Sequence, residues 1–227
     1  MKIETVMHEK TVNVLKNSAK FNTDLILYWQ TLLCSLFTYS LITAYYIVNG
    51  YDVSVALFNK VTADTSFLII GLSLILSSIC YFFNFADRFI IYRKHLGLLG
   101  FAILLIHILI SITYKAYSPF PEYYLTESRV YSFLSALIAT IIFAFMALIS
   151  NRVALLKIGP KMWRALLRLG FLGYVFSLYH FGAKNQENWI EYLANRSSIL
   201  PPMSLIIFIF GFLVILLRLT LFFKVRR

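Results

Sequence analysis

Six uninterrupted apolar runs of about twenty residues each leave this chain few folds to choose from. They fall near 25–48, 65–84, 95–115, 129–150, 164–182 and 202–223. About twenty apolar residues cross a bilayer as a helix. Inside lipid every backbone N–H and C=O must be satisfied within the protein, so only helices and closed barrels qualify. Barrel strands read as short alternating segments, whereas these runs are long and continuously apolar. The expectation is therefore an all-α integral membrane protein, a six-transmembrane-helix bundle forming one domain over residues 1–227 with a tail at 1–23. Breakers at Asn49-Gly50, Pro119 to Pro121 and Pro201-Pro202 mark several of the connections.

Composition agrees: 60% of the residues are hydrophobic and 14% charged, against about 45–50% and about 25% in soluble domains. The excess is spread along the whole length and leaves no room for a sizeable soluble domain. The first twenty residues are polar and charged, so no cleavable signal peptide is expected. The net charge of +11 does not point to nucleic acid, because the cations are placed by topology. Lys2, Lys10, Lys16 and Lys20 lie in the tail. Arg88, Arg93 and Lys94 occupy the second connection, and Arg152, Lys157, Lys161 and Arg164 the fourth, with Lys224, Arg226 and Arg227 at the end. The other connections hold the acids Asp52, Asp64, Glu122, Glu127, Glu187 and Glu191. The positive-inside rule then puts both termini in the cytoplasm. Cys34 and Cys80 fall in apolar runs without metal-site spacing and read as small hydrophobes.

Two histidines, His107 and His180, lie deep in such runs, where an imidazole is costly and rarely idle. Each follows glycines at the same offsets, Gly97 and Gly100 before the first, Gly170 and Gly173 before the second. Helices three and five both run from inside to outside. His107 lies roughly 20 Å beyond Lys94 and His180 roughly 25 Å beyond Trp163, at about 1.5 Å per residue. Both thus sit at similar depth in the outer half of the membrane. This pattern suits the axial ligands of one haem b standing between two helices. Gly100 and Gly173, seven residues away on the same face, would clear room for the macrocycle. Two imidazole ligands leave no open position, which favours electron transfer over oxygen activation. Tyr174, Phe176, Tyr179 and Phe181 are candidates to pack around such a ring. A plain alternative is that the histidines are hydrogen-bonded and the glycines pack helices.

The remaining polar residues carry weaker signals. His95 stands at the mouth of helix three beside Arg93 and Lys94, where it is solvated or meets lipid phosphate, or serves a second cofactor. His8 is a tail residue. Arg129 is an interfacial anchor or a propionate partner, Arg164 and Arg168 snorkel to headgroups, and Trp163 belongs to the interface belt. No glycine-rich phosphate loop or CxxC pair occurs. With no acid expected inside a span, a proton-driven transporter is hard to build. No soluble flavin or nicotinamide domain is expected, so any reducing equivalents are expected to come from elsewhere.

Arg93-Lys94-His95-Leu96-Gly97-Leu98 followed by His107 resembles the RR-x-LGL…H signature of ferric-reductase-like transmembrane domains. Leu148-Ile149-Ser150-Asn151-Arg152 through Gly159, Trp163, Arg168-Leu169 and His180 is similar to that family's fourth loop and fifth helix. The resemblance covers roughly residues 60–185 and leans toward the YedZ/MsrQ type, the haem-binding membrane subunits of periplasmic methionine-sulfoxide reductase systems. It implies a bacterial inner-membrane subunit that takes electrons from quinol or a cytoplasmic flavin reductase. These pass through b-type haem to a periplasmic molybdenum-containing reductase, with His107 and His180 as haem-iron ligands. One departure matters: the family's W-x-x-L-H-R-L run here reads Trp163-Arg164-Ala165-Leu166-Leu167-Arg168-Leu169, and Leu167 cannot ligate iron. A single outer haem is expected, with FMN, FAD or quinone on the cytoplasmic side, as in STEAP-type metalloreductases. Two other readings stay open, a metalloreductase acting on Fe(III) or Cu(II) and a non-redox scaffold, assembly factor or transporter that kept the fold.

Overall fold

The structure, a computed structural model, describes residues 2–114, 121–122, 125–126, 129–195 and 200–226, with side chains from 22 to 224. Pro119, Glu127 and Arg227 lie outside the described residues, as do the side chains of Lys2, His8, Lys10, Lys16, Lys20 and Arg226. Among the described residues the chain is all helical. It comprises α1 (Lys2–Val48), α2 (Val55–Phe82), a 3-10 segment (Asn84–Tyr92), α3 (Arg93–Thr113), α4 (Val130–Ile149), α5 (Arg152–Ile158), α6 (Pro160–Leu167), α7 (Leu169–Asn195) and α8 (Met203–Arg226).

Five of these helices are long and apolar enough to cross a membrane: Asn22–Val48 within α1, then α2, the 3-10 segment with α3, α4, and α8. Leu33, Phe37, Leu109, Tyr131 and Leu148 are among many large side chains left exposed on them, as a surface solvated by lipid requires. Several hydroxyl groups are satisfied within their own helix: Thr31 donates to the Leu27 carbonyl, Ser35 to Thr31 and Thr43 to Tyr39, so these add no unpaired polar group to an apolar helix, whereas the buried hydroxyls of Thr65 and Ser78 have no partner among the described residues. The chain is a multi-pass membrane protein.

α2 is the central element, and it begins at Val55, ten residues before the expected start. Ser54 caps it by accepting from the Leu57 N–H. Its small and hydroxyl residues let neighbours approach closely. Gly71 seats Tyr174 of α7 and Phe210 of α8, while Gly211 of α8 seats Phe67. Asp64, expected in a connection, is therefore inside a buried helix, and the expectation of no acid within a span is corrected.

The fifth apolar run also differs. It is divided between α6 and α7 at Arg168, and ahead of it Gly159 at φ 83°, a conformation that suits glycine, separates α5 from α6, which Pro160 opens. α7 then continues to Asn195, so Glu187 and Glu191 lie on a helix rather than in a connection. Trp189 at that end donates to the Ser204 hydroxyl of α8.

Candidate functional site

α3 and α7 each present one histidine near the same end of the bundle. The His107 Nδ1 lies 3.2 Å from the Asn59 carbonyl oxygen and 2.8 Å from its side-chain Oδ1. Asn59 is oriented in turn by donating to Ser111. The His180 Nδ1 lies 2.9 Å from the Ser132 carbonyl oxygen and 3.0 Å from its hydroxyl. A carbonyl only accepts, so each Nδ1 carries the proton and donates. Each Nε2 is left as a lone-pair nitrogen with no hydrogen-bond partner among the described residues. An N–H to carbonyl contact behind the ring is how proteins orient a ligating imidazole. Among the described residues no group of three or more His, Cys, Asp or Glu side chains comes together. Axial haem ligation needs only two imidazoles, and this donor set fits it.

These contacts belong to an internal repeat that the glycine offsets only hinted at. Asn59 to His107 and Ser132 to His180 are both separated by 48 residues. In the α2–α3 pair Gly100 rests on Ile70 and Gly97 on Ser73; in the α4–α7 pair Gly173 rests on Phe143 and Gly170 on Met146. Every residue of the first pair has its counterpart 73 positions later. The glycines are thus the seats where paired helices touch. A Cβ on Gly100 would meet the Ile70 side chain at 2.8 Å and its backbone nitrogen at 3.0 Å. The space beside Gly100 and Gly173 is filled by protein, which corrects their reading as clearance for a macrocycle. The aromatic neighbours also face elsewhere. Phe67 of α2 is stacked between Tyr174 and Phe181 of α7, at 4.5 and 5.0 Å, and Tyr179 is exposed.

Thirteen residues before each histidine, at the other end, stand Lys94 and Leu167. Neither is an imidazole, and both line a cavity of about 470 Å³. Its walls include Phe101, Phe143, Trp163 and Phe171, with Arg93, Arg164, Arg168 and Arg218 around them. Leu167 closes the short α6 rather than lying on the helix of His180. Trp163 donates its indole N–H to the Ile149 carbonyl at 2.8 Å; it caps the last turn of α4, a role its aromatic-belt reading missed. His95 is buried, not solvated. Its ring meets Tyr28 edge-on at 4.5 Å, its Nδ1 faces the Ile91 carbonyl and its Nε2 has no partner. Arg129 directly precedes α4. Cys34 and Cys80 are both free thiols.

Sequence reasoning misplaced one polar group and missed its partners. Asp64 is 2% exposed and accepts a 2.5 Å hydrogen bond from the Tyr46 hydroxyl of α1. Lys60, one turn earlier on α2, lies over the rings of Tyr46 and Tyr51 at 5.0 and 4.9 Å. Tyr46 and Lys60 also line a small polar cavity of about 220 Å³ with Glu191 and Ser204. The signal lay in Ser54 as a helix cap, which would have moved the start of α2 ahead of Asp64.

The fold and these sites define a polytopic helical membrane protein built around two facing helix pairs. The model of one family, described as ferric reductase like transmembrane component, matches residues 62–178, from within α2, just past Asn59, to within α7, two residues before His180. The chain belongs to that family, whose domain suggests a membrane electron-transfer component. None of the curated proteins matches it.

Proposed function

We propose that the protein is a b-type haem membrane subunit that carries electrons from a cytoplasmic-side donor to an extracytoplasmic acceptor. The observation that carries this reading is the pair of imidazoles whose Nδ1 groups are tied to carbonyls of α2 and α4, leaving two Nε2 atoms free on α3 and α7. His107 and His180 would hold the iron, with Asn59 and Ser132 as positioning residues. A haem b bound there supplies a one-electron carrier with no open coordination position. In this reading α7 is the sixth span, both termini are cytoplasmic by the positive-inside rule, and the histidine pair lies in the outer half of a bacterial inner membrane.

The absence of imidazole at both Lys94 and Leu167 favours one haem rather than two. The cavity between those positions then offers a place for a donor-side flavin (FMN or FAD) or quinone. By resemblance to the YedZ/MsrQ type, the donor is quinol or a cytoplasmic flavin reductase and the acceptor a periplasmic molybdenum-containing methionine-sulfoxide reductase. The test is a visible spectrum of the purified protein. A Soret band is expected that is lost in both His107→Ala and His180→Ala. A colourless, folded protein, or a band indifferent to both changes, overturns the proposal. A colourless result would favour the non-redox scaffold, since a chain lacking one ligand pair has then lost the use of the other. Ferric reduction by membranes without a protein partner would instead favour a metalloreductase.

A further inference from the structure

The cavity beside Lys94 and Leu167 has a charge problem that its apolar walls do not solve. Arg93 leads into it from the start of α3, Arg168 from the junction of α6 and α7, and Arg218 from within the apolar α8. The Arg218 guanidinium lies 4.7 Å from the centre of the Phe171 ring, another residue of the cavity wall. No Asp or Glu is among the lining residues, and none of these arginines has an ion-pair partner among the described residues. Arg93 and Arg218 are half-buried and Arg168 is exposed; cations gathered around one cavity repel one another, and a cation within an apolar helix is unfavourable unless compensated. An anion is the missing component. Planar guanidinium forks match the tetrahedral oxygens of phosphate, each offering two parallel N–H donors. The aromatic and aliphatic walls require that the rest of the ligand be apolar or flat.

We infer that Arg93, Arg168 and Arg218 form a binding site for the phosphate of an amphiphilic ligand whose apolar body fills the cavity. Two sources offer that chemistry, a phosphate-bearing redox cofactor and an anionic phospholipid headgroup. The site rests on reading this cavity as a ligand site but not on the histidine pair. Arg218 is the decisive residue, because an arginine on the outer surface of α8 needs no such partner, whereas this one lies over Phe171 in the wall of a cavity that Arg93 and Arg168 also line.

The experiment measures binding to the purified protein in neutral detergent by four probes: FMN, riboflavin, phosphatidylglycerol and diacylglycerol. Each is compared between wild type, Arg218→Gln, Arg93→Gln and Arg218→Lys, with helicity by circular dichroism as the folding control. The site is expected to prefer FMN over riboflavin, or phosphatidylglycerol over diacylglycerol, by at least tenfold. That preference should fall to near unity in Arg218→Gln and Arg93→Gln and be partly restored in Arg218→Lys. An FMN preference identifies a nucleotide-type phosphate and a lipid preference identifies a headgroup; either supports the site. Riboflavin binding as tightly as FMN would keep the flavin reading of the cavity and overturn the phosphate site. If no probe shows phosphate dependence, or the preference survives both glutamine variants in folded protein, the inference is wrong.

Discussion

Gly100 and Gly173 occupy equivalent positions in the two helix pairs, yet the structure predicts different responses to the same change, glycine to alanine. In an open helix interior that substitution stabilises by about 1 kcal/mol. At Gly100 the new methyl would meet the Ile70 backbone nitrogen at 3.0 Å as well as its side chain at 2.8 Å, and a backbone atom in the most buried helix cannot step aside. Overpacking of this kind costs about 1–3 kcal/mol, so the net loss is about 0–2 kcal/mol. At Gly173 the nearest atoms are side-chain carbons of Ile142 and Phe143 at 3.0–3.3 Å. These can give by a few tenths of an ångström, and the two effects nearly cancel. Thermal unfolding in detergent should show Gly100→Ala melting several degrees below Gly173→Ala, at about 2–4 °C per kcal/mol for a chain of this size. If both variants keep wild-type melting temperatures but lose a bound chromophore, the glycines clear space for a ligand after all and the packing account is refuted.

Asn59→Ala removes the 2.8 Å side-chain contact to His107 and leaves only the longer 3.2 Å carbonyl contact, whereas Ser132→Ala removes the 3.0 Å hydroxyl contact to His180 and leaves the shorter 2.9 Å carbonyl contact. Loss of such supporting groups typically costs about 10–100-fold in affinity, so haem retention on titration should fall further in Asn59→Ala. Tyr46→Phe and Asp64→Ala each leave one partner of a buried hydrogen bond unsatisfied, at about 1–3 kcal/mol. The double variant should be less destabilised than the sum by at least about 0.5 kcal/mol in chemical unfolding, and strict additivity would show that the pair is not coupled. Trp163→Phe removes the indole donor that caps the Ile149 carbonyl and should lower stability by about 1 kcal/mol, measured in the same way.

The two histidines of the candidate site were legible in advance because they interrupt long apolar runs. His107 and His180 were recognisable from their apolar surroundings and shared glycine offsets, and the loss of an imidazole at Leu167 is visible in a seven-residue run. The glycines' actual task was not legible, because the same small-residue spacing serves a ligand or a neighbouring helix, and only the position of Ile70 and Phe143 distinguishes them. Asp64 was misplaced for a related reason. Polar residues at 59–66 lower the local hydropathy and imitate a connection, although in the fold their partners come from other helices: Tyr46 on α1 for Asp64 and Ser111 on α3 for Asn59.

The sequence by itself determined the solvent of this protein and its helical class, since about twenty apolar residues in lipid permit little else, and it marked the two histidines as exceptions to that solvent. Which helix lies at the centre, which nitrogen of each imidazole is left free, and that three arginines from distant parts of the chain share one cavity were decided only by the tertiary structure. Those facts are relations between residues as far as 125 positions apart, from Arg93 to Arg218. A hydrophobicity pattern records what each segment is willing to face, whereas only packing records what it meets.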